Sequence, residues 1–399
     1  MGDFNAIRPG TDLSRHAQQL LRVHDAVISG GRPPARPRAL VQRSWSRVMR
    51  IGLNPEGANR RDPLPADEVE RRRRESPLSP VIGDLVRLVG SVADAATFLL
   101  VVTDADGVIL WREGASPVRR RADNLGFIEG VTWTESAVGT NAIGTALVEA
   151  APVQLFSAEH FEQTQHPWYC TAHPVHDPRT GDLLGILDVS GPALTLHPAI
   201  SALVETAVRL VESQLWQHHA ARLERLRRAA EHVVATTSGP LLVVDDHGWV
   251  AYNSGLAARD RIGTPRVGTP LAVPGLGLCL PERLTEGWIV RAAGRERSIR
   301  VTLDLTATPL LEVHGAGNRW RVPLTKRHAQ ILCLLRRAGR EGLSAGRLSH
   351  AMYGDDQHVV TVRAEVSRLR RAIGALVSTK PYRLVDGVTL DVVRAGQPT

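Results

Sequence analysis

Cysteine is scarce in this 399-residue chain. The three, at positions 170, 279 and 333, form no CxxC pair. An odd, sparse set fits a reducing cytosol rather than a disulfide framework. Long apolar runs are missing too. No stretch approaches the roughly 20 residues that a membrane-spanning helix needs, so no membrane is expected among the partners. The N-terminus, MGDFNAIRPGTDLSRH, lacks a basic-then-apolar signal pattern, and the expected location is the cytoplasm. What is present is an ordinary globular composition, 43% apolar, in a length expected to make two to four domains with ample core for each.

Charge is spread unevenly. The formal net charge is +8. From Arg319 to the end there are 15 Lys and Arg against 6 Asp and Glu, whereas the preceding 318 residues carry 34 against 35. The excess positive charge therefore sits in the last fifth of the chain. That asymmetry points to a discrete polyanion-binding domain rather than a generally basic protein.

Residues 1–79 read as a helical N-terminal region, only partly compact. Asp12 or Ser14 starts a helix over SRHAQQLLRVHDAVI, which Gly30-Gly31 ends, and the prolines of GRPPARPRA exclude a helix. A second helix covers RALVQRSWSRVMRIGL. The RRRR run at 71–74 reads as a solvated helix face, because Glu68 and Glu70 stand four residues before Arg72 and Arg74.

Over residues 80–215 the pattern changes. VIGDLVRLVGSVADA is amphipathic, with apolar residues at 81, 82, 85, 88, 89 and 92, and TFLLVVTDADGVILWREG is a hairpin around DADG. Val131–Leu147 reads as one helix capped by Thr134, with Glu135 at its positive end. Gly139 and Gly144 within it cost roughly 1 kcal/mol each, which is tolerable if something lies close against that face. PVQLF and two strand-like runs around PRTGD follow. A long helix then carries an apolar stripe at 200, 203, 204, 207, 208, 211 and 215. This order describes an antiparallel sheet with helices on one face. The exit helix continues as a linker over 216–237 and is long enough for a dimer coiled coil, though no clean heptad persists past Trp216.

The string WTESAVGTNAIGTAL, followed by AEHF and then CTAHPVHDPRTGDLLGILDVSG, closely resembles the GAF sensor domain of bacterial transcriptional activators. Those proteins regulate catabolic operons such as the ones for acetoin and dihydroxyacetone. RSWSR at 43–47, with Gly52 and Pro55 following, resembles the segment that precedes GAF in that family, so the resemblance covers about residues 38–215. One departure matters: full-length activators carry an ATPase domain, and this sequence contains no GxxxxGK[ST] phosphate loop. Energy-dependent opening of a promoter complex is therefore not expected of it. Residues 238–316 are similar to a small, degenerate PAS-type domain: a strand, a DDHG turn, a strand and a short helix over NSGLAARD, then further strands. Cys279, between two leucines, reads as core.

The basic segment, 317–399, has three helical blocks and then a hairpin. Thr325 caps the first block, with Ala329, Ile331, Leu332 and Leu335 on its apolar face and Gly339 at its end; Ser344 caps the second. The third starts near His358 and keeps Val362, Val366, Leu369 and Ile373 on one face. Thr361, Arg363, Ala364, Ser367, Arg368 and Arg371 then face outwards, a pattern shaped for a DNA major groove. Glu365 is the only acid between Gln357 and Lys380, so the arginines are expected to lack local partners. LTKRHAQILCLL, TVRAEVSRLRRAIG and PYRLVDGVTLD also resemble the winged-helix DNA-binding domain of response-regulator transcription factors. That resemblance implies base contacts around Arg363 and Ser367. It implies phosphate contacts at Arg368 and Arg371, and wing contacts at Tyr382 and Arg383. The position of Arg363 is more often acidic there, so no target sequence carries over.

The fold expectation is thus α+β and multidomain: a GAF antiparallel sheet with flanking helices, a PAS-like small α+β domain and a C-terminal winged helix-turn-helix. His160, His166, Cys170, His173 and His176 are types that bind zinc, iron or haem. The resemblance assigns the Cys and the His-Asp-Pro step to ordinary GAF sequence and leaves His166 and His173 as the extras. Packing is the favoured reading, with His166, Cys170 and His173 the weak metal candidates. No Cys-His pair is present for a covalent bilin, and no catalytic constellation is visible. The expectation is a non-enzymatic, one-component regulator without a firmly implied cofactor. It senses an unidentified small-molecule or redox signal. Candidate pocket liners are Trp133, Glu135, Asn141, Trp168 and Tyr169. Expected partners are double-stranded DNA, the effector, a second copy of the chain and RNA polymerase. The alternatives are a signalling or scaffold protein and a haem- or metal-binding GAF sensor.

Overall fold

The computed structural model describes residues 4–57, 59, 61–96, 98–291, 299–314, 319–386 and 388–394. It divides into two compact units, Met1–His218 and His219–Thr399. No helix among the described residues is long and apolar enough to cross a membrane.

In the first unit, α1 (Leu13–Ile28) starts at Asp12, whose carboxylate accepts from the Arg15 N–H, and α2 (Ala39–Ile51) and α3 (Ala66–Glu75) follow. Next come α4 (Ser79–Ala96), β1 (Leu99–Thr103), β2 (Ile109–Gly114) and α5 (Ser116–Asp123). After these stand α6 (Glu135–Val138), α7 (Ala142–Glu149), β3 (Val153–Phe156), β4 (Trp168–His176) and β5 (Leu183–Pro192). The exit helix is α8 (Ala199–Ala229). The five strands form one antiparallel sheet in the order β2-β1-β5-β4-β3.

Strand periodicity splits β1 between two cores. Leu99 and Val101 join Val41, Trp45 and Val48 of α2, Val138 of α6 and Ile143 of α7. Phe98, Leu100 and Val102 join Val81, Leu85 and Val89 of α4 and Val204, Val208 and Val211 of α8. Helices thus cover both faces of the sheet, not one, which is why every residue of β1 is buried. The N-terminal region is likewise no separate, partly compact piece, since α2 supplies a third wall of the first core. Of the apolar positions expected on α4, Leu88 and Val92 lie outside the described side chains. The arginine run of α3 makes the expected pairs, Arg72 to Glu68 at 3.0 Å and Arg74 to Glu70 at 3.8 Å. It also docks the helix: Arg72 reaches Asp104 at 2.6 Å and Arg73 donates to the Leu110 carbonyl at 2.7 Å.

The single helix expected over Val131–Leu147 is two. Gly139, with φ at +74° and ψ at −165°, ends α6 after one turn, in a backbone region essentially reserved for glycine. Thr134 makes no side-chain cap; Asn141 caps α7 instead, its carbonyl accepting from the Gly144 N–H at 2.8 Å. The close neighbours are real. A Cβ on Gly139 would meet the Phe161 ring at 2.8 Å, and one on Gly144 would meet the Glu135 nitrogen at 2.5 Å.

The second unit opens with the last part of α8, from His219, followed by α9 (Glu231–Thr236) and β6 (Leu241–Val244), β7 (Val250–Ser254), β8 (Leu271–Val273), β9 (Gly277–Cys279), β10 (Glu282–Leu284) and β11 (Gly287–Arg291). They make a four-stranded sheet, β10-β11-β6-β7, and a separate β8-β9 pair. Cys279 lies in the core with Leu242, Val244, Trp288 and Val290. No helix forms over Asn253–Asp260. There the Asn253 side-chain amide donates to the Leu256 and Ala257 carbonyls at 3.4 and 3.3 Å, a local alternative to helical bonding.

The terminal elements are β12 (Ile299–Asp304), β13 (Leu310–His314), β14 (Arg319–Pro323), α10 (Lys326–Ala338), α11 (Ala345–Tyr353), α12 (Val359–Ile373), β15 (Val377–Thr379), β16 (Tyr382–Leu384) and β17 (Val388–Val393). Their main sheet runs β14-β13-β12-β17, with β17 parallel to β12. Val301, Leu303, Leu311 and Val313 share a core with Leu332, Leu335, Val362, Val366 and Leu369. The expected boundary after residue 316 therefore falls inside a structural unit. β12 and β13 pack with the terminal helices, and the basic body begins by residue 299.

Candidate DNA-binding surface and sensor pocket

Capping sets up the terminal helices. The Thr325 hydroxyl accepts from the His328 N–H at 3.1 Å and that of Ser344 from the Arg347 N–H at 3.2 Å. The Ser349 hydroxyl donates to the Asp355 carbonyl at 2.8 Å and accepts from the His358 N–H at 3.2 Å, fixing the turn into α12. α12 then buries Val362, Val366, Leu369 and Ile373 and exposes Thr361, Arg363, Ala364, Ser367, Arg368 and Arg371.

Three details differ from the sequence expectation. Glu365 is buried and binds Arg368 at 2.6 Å, with His328 Nε2 3.3 Å from its other oxygen, so Arg368 does have a local partner. Arg383 is held by Asp386 at 2.8 Å, and the Tyr382 backbone pairs in both directions with Leu343. Val360, which the sequence reading missed, is 78% exposed one turn before Arg363 and Ala364. Its spacing of three and four from those residues was the available signal, and an exposed apolar group there suits a thymine methyl. Arg363 and Arg371 have no hydrogen-bond or ion-pair partner among the described residues.

In the first unit, Trp133, Asn141 and Trp168 line a narrow cavity with Phe127, Ile143, Gln165, Cys170, Asp188 and Ser190. Its free space is about 20 Å³, close to one water molecule, so a larger occupant must displace wall side chains. Asn141 is committed to capping. Glu135 does not line the cavity: it accepts from Ser44 at 2.6 Å and from Arg47 at 2.7 and 2.8 Å. Tyr169, next to Trp168 on β4, points by strand alternation to the other face, into the second core.

Asp188 is the feature sequence reading passed over. A lone acid in the apolar run LLGILDVSG was the signal. Ser190 donates to its Oδ2 at 2.5 Å, while its buried Oδ1 has no partner among the described residues, and neither does the buried Trp133 Nε1. Burial pushes the Asp188 carboxyl up to about 7. Burial also raises the Cys170 thiol well above its ordinary range, leaving it without the thiolate that reactivity needs. His160 Nε2 lies 3.3 Å from the Cys170 sulfur. Burial pushes His160 and His173 down to about 4 and His166 to about 3, so all three are neutral at pH 7.

The weak metal candidates do not converge. His166 follows a short helical turn and packs edge-on to the His24 ring at 4.6 Å. Cys170 and His173 are three apart on β4 and so point to opposite faces, with His173 against Phe4 at 5.2 Å. Among the described residues, no group of three or more His, Cys, Asp or Glu side chains is placed to hold a metal ion.

Comparison with known proteins gives the class. The model of the MimR N-terminal domain matches residues 17–213, which takes in most of α1, then α2 and α3, as well as the sheet. An uncharacterized 47.3 kDa protein in the thcA 5′ region of Rhodococcus erythropolis is 30% identical over 401 residues, covering 97% of this chain and 74% of that protein. The acetoin dehydrogenase operon transcriptional activator AcoR of Bacillus subtilis is 31% identical, covering 55% of this chain and 36% of its own length. The propane 2-monooxygenase operon transcriptional activator MimR of Mycolicibacterium smegmatis is 27% identical, covering 51% of this chain and 33% of its own length. The class is that of transcriptional regulators with a sensor region. The chain belongs to the family that carries the MimR N-terminal domain, and it spans about a third of the length of the two named activators.

Proposed function

We propose that this chain is a one-component, DNA-binding regulator in which a GAF-type sensor, a PAS-like domain and a winged helix occupy residues 1–218, 238–291 and 299–394. The carrying observation is the face of α12: Val360, Arg363, Ala364, Ser367 and Arg371 stand exposed at helical spacing over a fully buried apolar stripe. The β15–β16 hairpin beside it supplies the wing. Arg363 can take the two acceptors of a guanine edge, and Arg371 meets phosphate. The effector enters the first unit at the Asp188 pocket. It changes output only to the extent that it binds one conformation better than another. The chain works as a dimer in the cytoplasm, because one small module lacks the site length for specific binding. RNA polymerase is the target of its output.

Competition binding of the full chain to genomic DNA fragments tests this. A fragment that outcompetes bulk DNA at physiological salt is expected; if none does, the reading fails. Arg363→Ala should weaken the selected site by about 5–150-fold, on the order of 1–3 kcal/mol, while sparing bulk DNA. Arg371→Ala should weaken all sequences alike and lower the salt slope by about 1. Arg368→Ala should do less, since Glu365 already engages that guanidinium.

A further inference from the structure

Residues 264–272 of the second unit lie against the far end of α12, where the Ala375 N–H donates to the Pro270 carbonyl at 2.9 Å. Between this segment and the helix is an open cleft of about 480 Å³. The segment contributes Arg266 and Thr269 to its walls, and the helix contributes Arg363, Ser367, Arg370 and Arg371. No Asp or Glu is among the described residues that line it. Arg370 is tied by Nε to the Val377 carbonyl at 3.0 Å. Arg266, Arg363 and Arg371 are exposed and have no partner among the described residues.

Four guanidiniums around one cleft repel one another. A contact serving only to hold the segment on the helix would set an acid opposite an arginine, as Glu365 does for Arg368. Here the segment adds a further cation instead. Guanidinium forks and hydroxyl donors without a competing carboxylate are the donor set for a phosphate oxyanion.

We propose that this cleft is a phosphate site, and that Arg266 extends the anion-binding surface of α12 into the neighbouring domain. The phosphate belongs either to the DNA backbone or to a free phosphorylated small molecule. The first case rests on the DNA-binding function proposed above; the second does not.

The test compares the full chain with its Arg266→Ala and Arg371→Ala variants. Each is titrated with the selected DNA fragment over a series of salt concentrations, and separately with pyrophosphate by calorimetry. Arg266 is exposed, so its variant should melt with the parent. If the phosphate is a DNA phosphate, Arg266→Ala lowers the salt slope by about 0.9 and weakens binding several-fold, as Arg371→Ala does. If it is a free phosphate, pyrophosphate binds the parent and not Arg266→Ala, while DNA binding is untouched. Tighter DNA binding by Arg266→Ala overturns the proposal, because the segment then shields the helix. So does an unchanged slope together with no pyrophosphate binding by the parent. Failure of the parent to select any DNA fragment defeats the DNA-binding function; pyrophosphate binding lost in Arg266→Ala would still sustain the cleft.

Discussion

Arg47→Ala is expected to destabilise the first unit by about 3–5 kcal/mol, lowering its melting temperature by roughly 10 °C. Arg47 on α2 donates through Nε and Nη2 to both oxygens of Glu135 at 2.7 and 2.8 Å, and through Nη1 to Glu149 at 2.9 Å. These bonds, led by the one to Glu135, raise the guanidinium further above its ordinary value. Glu135 is nearly buried, with 5% of its side chain exposed, and Ser44 on the same face of α2 donates to it at 2.6 Å. Truncating Arg47 leaves a carboxylate in the interior with a hydroxyl as its remaining bonded partner, and the cost is mainly that of the stranded charge. The control follows directly. Glu135→Gln in the Arg47→Ala background should recover part of the loss, and a double-mutant cycle should show strong coupling. Thermal melts of the four proteins decide it: a loss under about 1 kcal/mol for Arg47→Ala, the range of an exposed pair, would remove this network from any account of how α2 is held.

The same network marks where local sequence stops being informative. Asp12, Thr325 and Ser344 cap their helices as read, and the stripe of α12 is buried residue for residue, because caps and helical periodicity are properties of neighbouring positions. Glu135 instead meets its partner across 88 residues. Nothing near TESAV distinguishes a buried ion pair from a ligand contact. Strand pairing has the same character. β12 lies parallel to β17, with Ile299 opposite Val388, so a domain boundary drawn from local pattern alone separated two strands of one sheet. Tyr169 was a matter of register: it adjoins the pocket-lining Trp168 in sequence, and alternation alone sends it to the far core. Asp188 and Val360 were legible in principle, one as a charge inside an apolar strand, the other as an apolar residue on a polar helix face.

Asp188→Asn is expected to stabilise the protein at pH 8 and, by less than half as much, at pH 5. Burial moves this carboxyl from 3.8 up to about 7. Between about pH 4 and pH 7 the unfolded chain has released the proton while the folded one keeps it, so the folded state binds more protons and stability falls as pH rises. Above pH 7 both states are ionised and the cost levels off. A shift of this size corresponds to about 4 kcal/mol as an order of magnitude, or roughly 10 °C in a unit of this length. Asparagine cannot ionise, and its carbonyl can still accept from Ser190, so the variant should lose the slope and keep the hydrogen bond. Melts of both proteins at pH 5 and pH 8 measure it, and an equal difference at the two values would show that Asp188 is not titrating in the fold. The orphaned Oδ1 gives the effect a functional reading. An occupant offering an N–H or O–H to that oxygen relieves the same cost, and would stabilise the parent more at pH 8 than at pH 5 while leaving Asp188→Asn nearly unmoved. A ligand screen run at two pH values on the two proteins therefore identifies effectors by the atom they satisfy.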